Sequence, residues 1–149
     1  MNIVAALYSW AVSFGLYSEY LDAFLQNSQA GTNYVFIFLI SLAITLLSLF
    51  VFYIFPGRPS WAKNRYWFIT MGISAILNFW ISSQWTLQNK LDNLTATINP
   101  ATSQPENLVS DMDCWMFGVS DTILFIVIFI FLTFIVRIFS NNLRYIPHL

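Results

Sequence analysis

Glu19, Asp22 and Asp121 are the side chains in this sequence best placed to do chemistry, because each falls within or beside a long apolar stretch. An ionised carboxylate in such surroundings needs partners, and membrane proteins use it as a proton or cation site or as a polar contact between helices. Glu19 and Asp22 belong to a set, Gly15, Glu19, Asp22 and Gln26, spaced by four, three and four residues; a continuous helix would carry all of them on one face. Two readings of that face compete. One is an ion or proton site, or an ion pair to another subunit. The other is a pair of wet carboxylates at the membrane surface, since Glu19 lies only about six residues, or roughly 9 Å, from the end of its segment.

Asp121 stands just before the apolar run Ile123 to Leu132, flanked by Ser120 and Thr122. If the embedded helix begins at Thr122, the carboxylate is a helix N-cap that accepts free backbone N–H groups and complements the helix dipole. If the helix begins earlier, Asp121 is a buried polar contact to another helix, or takes part in proton transfer. The only histidine, His148, is beside the C-terminus and the apolar spans contain no lysine, so nothing else supplies a proton path.

A third pattern is Ser74, Asn78 and Ser82 at four-residue spacing, with Gly72 and Ala75 close by. Small and hydroxylated residues let helices approach closely and hydrogen-bond across the contact, so this face is expected to pack on protein. Whether that protein is the same chain or a neighbour is open. Ser41, Thr45 and Ser48 form at best a narrow packing seam in an otherwise apolar stretch.

Other chemistry is not encoded. No nucleophile sits with a base, and there is no nucleotide-binding loop. The single cysteine, Cys114, forbids an internal disulfide and offers no metal cluster. Glu106, Asp111 and Asp113 lack the glycine and the alternation of a loop that wraps Ca²⁺, and read as solvated charge. No enzyme activity, cofactor or metal is therefore expected. Six Lys and Arg against seven Asp and Glu make no basic patch, which argues against a nucleic-acid partner.

The elements that must position these residues follow from hydropathy. Of the 149 residues 58% are hydrophobic and 9% charged, against about a quarter charged in a typical soluble domain. Tyr34 to Phe55 and Tyr66 to Leu87 each run for 22 residues without a charge. About 20 such residues cross a hydrocarbon core about 30 Å thick. Met116 to Phe139 is a further span, with Asp121 near one end and Arg137 near the other. Ile3 to Leu25 is apolar enough for another, and its start lacks the basic region of a cleaved signal. The expected fold is all-α: a single polytopic membrane domain over 1–149, a bundle of four or alternatively three transmembrane helices. The spans are expected at 3–25, 34–55, 66–87 and 116–139, with an outer loop over 88–113 rich in Asn, Thr, Ser and Pro.

Loop charge sets the orientation, because short basic loops stay cytoplasmic. Arg58, Lys63 and Arg65 mark one connector, and Arg137 and Arg144 the C-terminal end; Asp92, Glu106, Asp111 and Asp113 outweigh Lys90 in the loop between Gln88 and Asp113. With four spans both termini are cytoplasmic, in a plasma membrane or bacterial inner membrane. Pro56-Gly57 and Pro59 close the second span, and Asn93-Leu94-Thr95 matches a glycosylation acceptor that a chance occurrence in a loop rich in Asn and Thr explains better. The expected function is that of a non-enzymatic structural subunit that anchors or assembles a larger membrane complex, such as a secretion or energy-transducing machine. Its partners would be lipid and other membrane subunits, including copies of itself. Gly15, Glu19, Asp22, Gly72, Ser74, Asn78, Ser82 and Asp121 are the expected contact residues. The alternative is a channel, transporter or lysis pore lined by Glu19, Asp22 and Asp121.

Overall fold

The computed structural model describes residues 3–27, 34–54, 64–92, 95–98 and 104–139. These form five helices, α1 (Ile3–Ser13), α2 (Glu19–Asn27), α3 (Tyr34–Ile54), α4 (Asn64–Leu91) and α5 (Asp111–Phe139). A two-stranded antiparallel ribbon, β1 (Thr97–Ile98) and β2 (Pro105–Glu106), lies in the connector between α4 and α5. The connectors 28–33 and 55–63 lie outside the described residues, with Pro56, Gly57, Arg58, Pro59 and Lys63, as do Asn93 and the tail from 140 with Arg144 and His148. Two helices, α3 and α5, are long and apolar enough to cross a membrane, over Tyr34–Tyr53 and Asp111–Val136. At 28 residues, or about 42 Å, α4 is as long but carries more polar side chains.

The single helix expected over 3–25 is instead two. Gly15 adopts a left-handed φ of 67°, the Gly15 amide donates to Val12 O at 2.8 Å and the Leu16 amide to Ala11 O at 3.0 Å. This pairing, one bond reaching back three residues and the next five, is the Schellman stop that a glycine permits. Ser18 then starts α2: its hydroxyl accepts the Leu21 amide at 3.4 Å and its carbonyl the Asp22 amide at 3.2 Å.

The start of α5 is equally explicit. The Asp113 amide donates to Ser110 Oγ at 3.1 Å while the Ser110 amide donates to Asp113 Oδ2 at 2.8 Å, a reciprocal cap. The helix thus begins five residues before the expected Met116. The other oxygen of Asp113 accepts the Ser18 amide at 3.0 Å, so one carboxylate fastens the α1–α2 turn to the first turn of α5. Lys90 bridges Asp111 at 2.5 Å, and Asn107 donates to Lys90 O at 3.1 Å, which ties the end of α4 to the same corner.

The interior is mixed. Tyr8, Tyr17, Leu21, Tyr34, Ile37 and Phe117 form one buried cluster, and Leu49, Phe52, Trp67 and Phe129 another. Between them lie buried Ser41, Thr45, Asn78, Ser82, Ser120 and Asp121, while Leu47, Phe50, Ile76, Trp80, Val127 and Phe131 are exposed.

Candidate functional site

Asp121 is ten residues into α5, roughly 15 Å from its start, and is fully buried. The N-cap reading is therefore overturned, because the free backbone amides it would have capped lie at Ser110 to Asp113. Its carboxylate is held by hydroxyls from three other helices. Tyr8 Oη of α1 donates to Oδ1 at 2.5 Å, Ser41 Oγ of α3 donates to Oδ2 at 2.9 Å, and Ser82 Oγ of α4 donates to Oδ2 as well. Hydrogen bonds to an ionised oxygen are the strong kind, and three of them give both carboxylate oxygens donors. Among the described side chains Arg65 lies over the Tyr66 ring and Lys90 is bridged to Asp111, so no cation takes part in this shell.

A second carboxylate ends a second set of hydroxyls. Tyr34 Oη donates to Asp22 Oδ1 at 2.5 Å, and Gln26 Nε2 donates to Asp22 Oδ2 at 2.8 Å. Tyr17 Oη lies 2.8 Å from Tyr34 Oη. Because the Tyr34 proton goes to Asp22, Tyr17 is the donor of that pair, and the line runs Tyr17 to Tyr34 to Asp22. Tyr17 also lies 3.5 Å from the backbone carbonyl of Tyr8, not its hydroxyl. The rings of Tyr8 and Tyr34 stack with centroids 4.9 Å apart, and Phe117 closes the cluster at 5.6 Å from Tyr8.

The face expected from Gly15, Glu19, Asp22 and Gln26 does not exist as such. Gly15 ends α1, Glu19 is exposed on the first turn of α2, and only Asp22 and Gln26 meet. Along α4, Ser74, Asn78 and Ser82 are all buried. Asn78 Nδ2 donates to Thr45 Oγ1 at 3.3 Å, and the threonine proton is committed to Ser41 O at 2.9 Å, which fixes the amide orientation. That leaves Asn78 Oδ1 buried with no partner among the described residues. Ser74 and Asn78 line a narrow notch between α4 and α5, with Met71, Ala75, Phe125, Ile126 and Phe129.

Among the described residues no helix approaches Gly72 closely: a Cβ there would have nothing within 4 Å. The glycine that plays that part is Gly118 of α5, where a Cβ would collide with Ser83 Oγ and lie 3.1 Å from Phe79 O. Sequence reading missed Gly118, Ser83 and the Asp121 partners Tyr8 and Ser41. Ser41 was legible as part of a seam, but nothing in its spacing points at Asp121. In the connector between α4 and α5, Asp111 pairs with Lys90 and Asp113 caps Ser110 and holds the Ser18 amide, and among the described residues no group of three or more His, Cys, Asp or Glu is placed to hold a metal.

Comparison with protein-family models, curated proteins and solved structures finds no match to this chain.

Proposed function

We propose that this chain is a non-enzymatic integral membrane subunit that packs through the α4–α5 seam against another helix of a membrane complex. Support for the membrane setting comes from inverted polarity: Asp121, Asn78, Ser41 and Ser82 are buried while Phe50, Ile76, Val127 and Phe131 face outward. Water as solvent would favour the reverse, and lipid favours this arrangement. In this reading α3, α4 and α5 cross the bilayer. At 11 residues, or about 16 Å, α1 reaches only half way and packs against them from the side of the α4–α5 connector. That is the three-span form, with the first segment inserted beside the bundle instead of lying on its surface.

The observation that carries the assembly role is the orphan Asn78 carbonyl beside the notch. An acceptor buried without a donor costs about 1–3 kcal/mol, and a neighbouring helix that brings a hydroxyl or amide donor removes that cost. Gly72 supplies the test, because nothing among the described residues lies within 4 Å of a Cβ added there. Gly72→Leu leaves a solitary bundle unchanged but excludes a partner helix. The expected result is a smaller assembly in mild detergent for Gly72→Leu and Asn78→Leu, with membrane insertion intact. A wild-type protein that runs as a lone monomer, unchanged by either substitution, defeats the reading.

A conducting path lined by Glu19, Asp22 and Asp121 has less support. Glu19 is exposed, and the Asp22 and Asp121 shells are separate.

A further inference from the structure

We propose that Asp121 is a proton-exchange site: its carboxyl group takes up and releases a proton inside the bundle, and the surrounding hydroxyls reverse their hydrogen bonds to fit either state. Carboxylates held by arginine, lysine or backbone N–H groups have donors that cannot become acceptors, so a proton finds no place on them. Among the described residues the partners of Asp121 are all hydroxyls, from Tyr8, Ser41 and Ser82. A hydroxyl is donor and acceptor at once, and its hydrogen rotates.

The helix provides the second resting place for that hydrogen. Serine and threonine in helices donate to the carbonyl three or four residues back, as Thr45, Thr86, Ser120 and Thr133 do here. When Asp121 is ionised, Ser41 and Ser82 donate to it. When hydronium or water delivers a proton, one O–H bond forms on Oδ2, that hydrogen is donated to a serine oxygen, and the serine hydrogen turns to its own helix. The charge changes by one and water carries the balance.

The titratable groups around the site are few. Tyr8 faces it from α1, and Tyr34 of α3 and Tyr17 of the turn stand behind Tyr8 in line with Asp22 of α2. From α4 the facing group is Ser82; Lys90 is engaged at the far end, and on α5 itself Cys114 and Asp113 are two turns away. The Tyr17 hydroxyl meets the Tyr8 carbonyl and not its hydroxyl, so the two shells form no continuous line. The site therefore stores one proton and does not conduct.

This inference goes beyond the assembly role and fails separately from it, since the measurement reads one carboxyl group whatever the oligomeric state. Full-length protein in mild detergent is titrated by infrared spectroscopy, following the C=O stretch of protonated carboxylic acids. The expected result is a pH-dependent band present in the wild type, absent in Asp121→Asn, and displaced in Tyr8→Phe and Ser82→Ala. Should Asp121→Asn not fold, displacement of the band in the other two variants assigns it, and no displacement in either overturns the proposal. Wild-type and Asp121→Asn spectra that differ at no pH overturn it too, leaving a fixed clamp. Sodium abolishing the band at constant pH overturns it in favour of a cation site.

Discussion

At Asp121 the amide and the aliphatic substitution separate two kinds of loss. Asp121→Asn keeps hydrogen-bonding capacity but weakens bonds that were made to a charge, whereas Asp121→Leu leaves the hydroxyls of Tyr8, Ser41 and Ser82 without their acceptor. Serines can fall back on their own helix; Tyr8 cannot. Asp121→Leu is therefore expected to lose roughly 1–3 kcal/mol more than Asp121→Asn, measured as denaturant unfolding in detergent. Equal losses would show that the tyrosine finds another partner. Gly118 offers a second contrast. Gly118→Ala should destabilise by about 1–3 kcal/mol through overpacking against Ser83 and the Phe79 carbonyl. Ser83→Ala alone should be nearly silent, because Ser83 Oγ is buried without a hydrogen-bond partner among the described residues, and in the Gly118→Ala background it should restore part of the loss. No such restoration would place the strain in the backbone of α4. Neither glycine could be ranked from sequence: Gly72 stands beside a visible polar face and Gly118 beside none, yet close approach depends on which helix lies opposite.

At the scale of elements, α3 runs over Tyr34–Ile54 where apolar length marked 34–55, residue 55 lying outside the described residues. α4 and α5 extend beyond their apolar parts, because hydropathy marks what lipid tolerates while caps mark where a helix stops. Ser110 and Asp113 start α5 from within the acidic connector, so the stretch that reads as loop charge is partly helix. Spacing misled over Gly15 to Gln26. A four-three-four pattern defines a face only if the helix is continuous, and Gly15 was the sign that it is not. Gly15→Ala should cost about 1–2 kcal/mol from the left-handed backbone alone, since nothing within 4 Å would meet the added methyl. Gly15→Asn should cost less. Thermal unfolding followed by circular dichroism checks both, and an alanine as stable as glycine would mean that the α1–α2 turn can be rebuilt.

For the whole molecule, orientation is the testable quantity. Taking loop charge as the guide, position 104 in the acidic connector should face outward and position 60 in the basic connector inward. The native thiol is buried and is replaced first, as Cys114→Ser. A membrane-impermeant thiol reagent on intact cells should then label Gln104→Cys and not Ser60→Cys, and the opposite result reverses the orientation. The reading of Asp121 as a polar contact between helices needed all the helices at once, which is why it was one option among several in the sequence. The same fact bears on biogenesis. Asp121 belongs to the last of the described helices to leave a ribosome, and one of its donors, Tyr8, to the first. In the membrane reading proposed above, the carboxylate of α5 has nowhere to rest on entering the bilayer unless α1, α3 and α4 are already gathered, so insertion of α5 would be a checkpoint on everything made before it. Chains that reach that step with α1 misplaced would keep a charged group waiting in lipid, a mark by which a membrane protease can tell the unfinished bundle from the finished one.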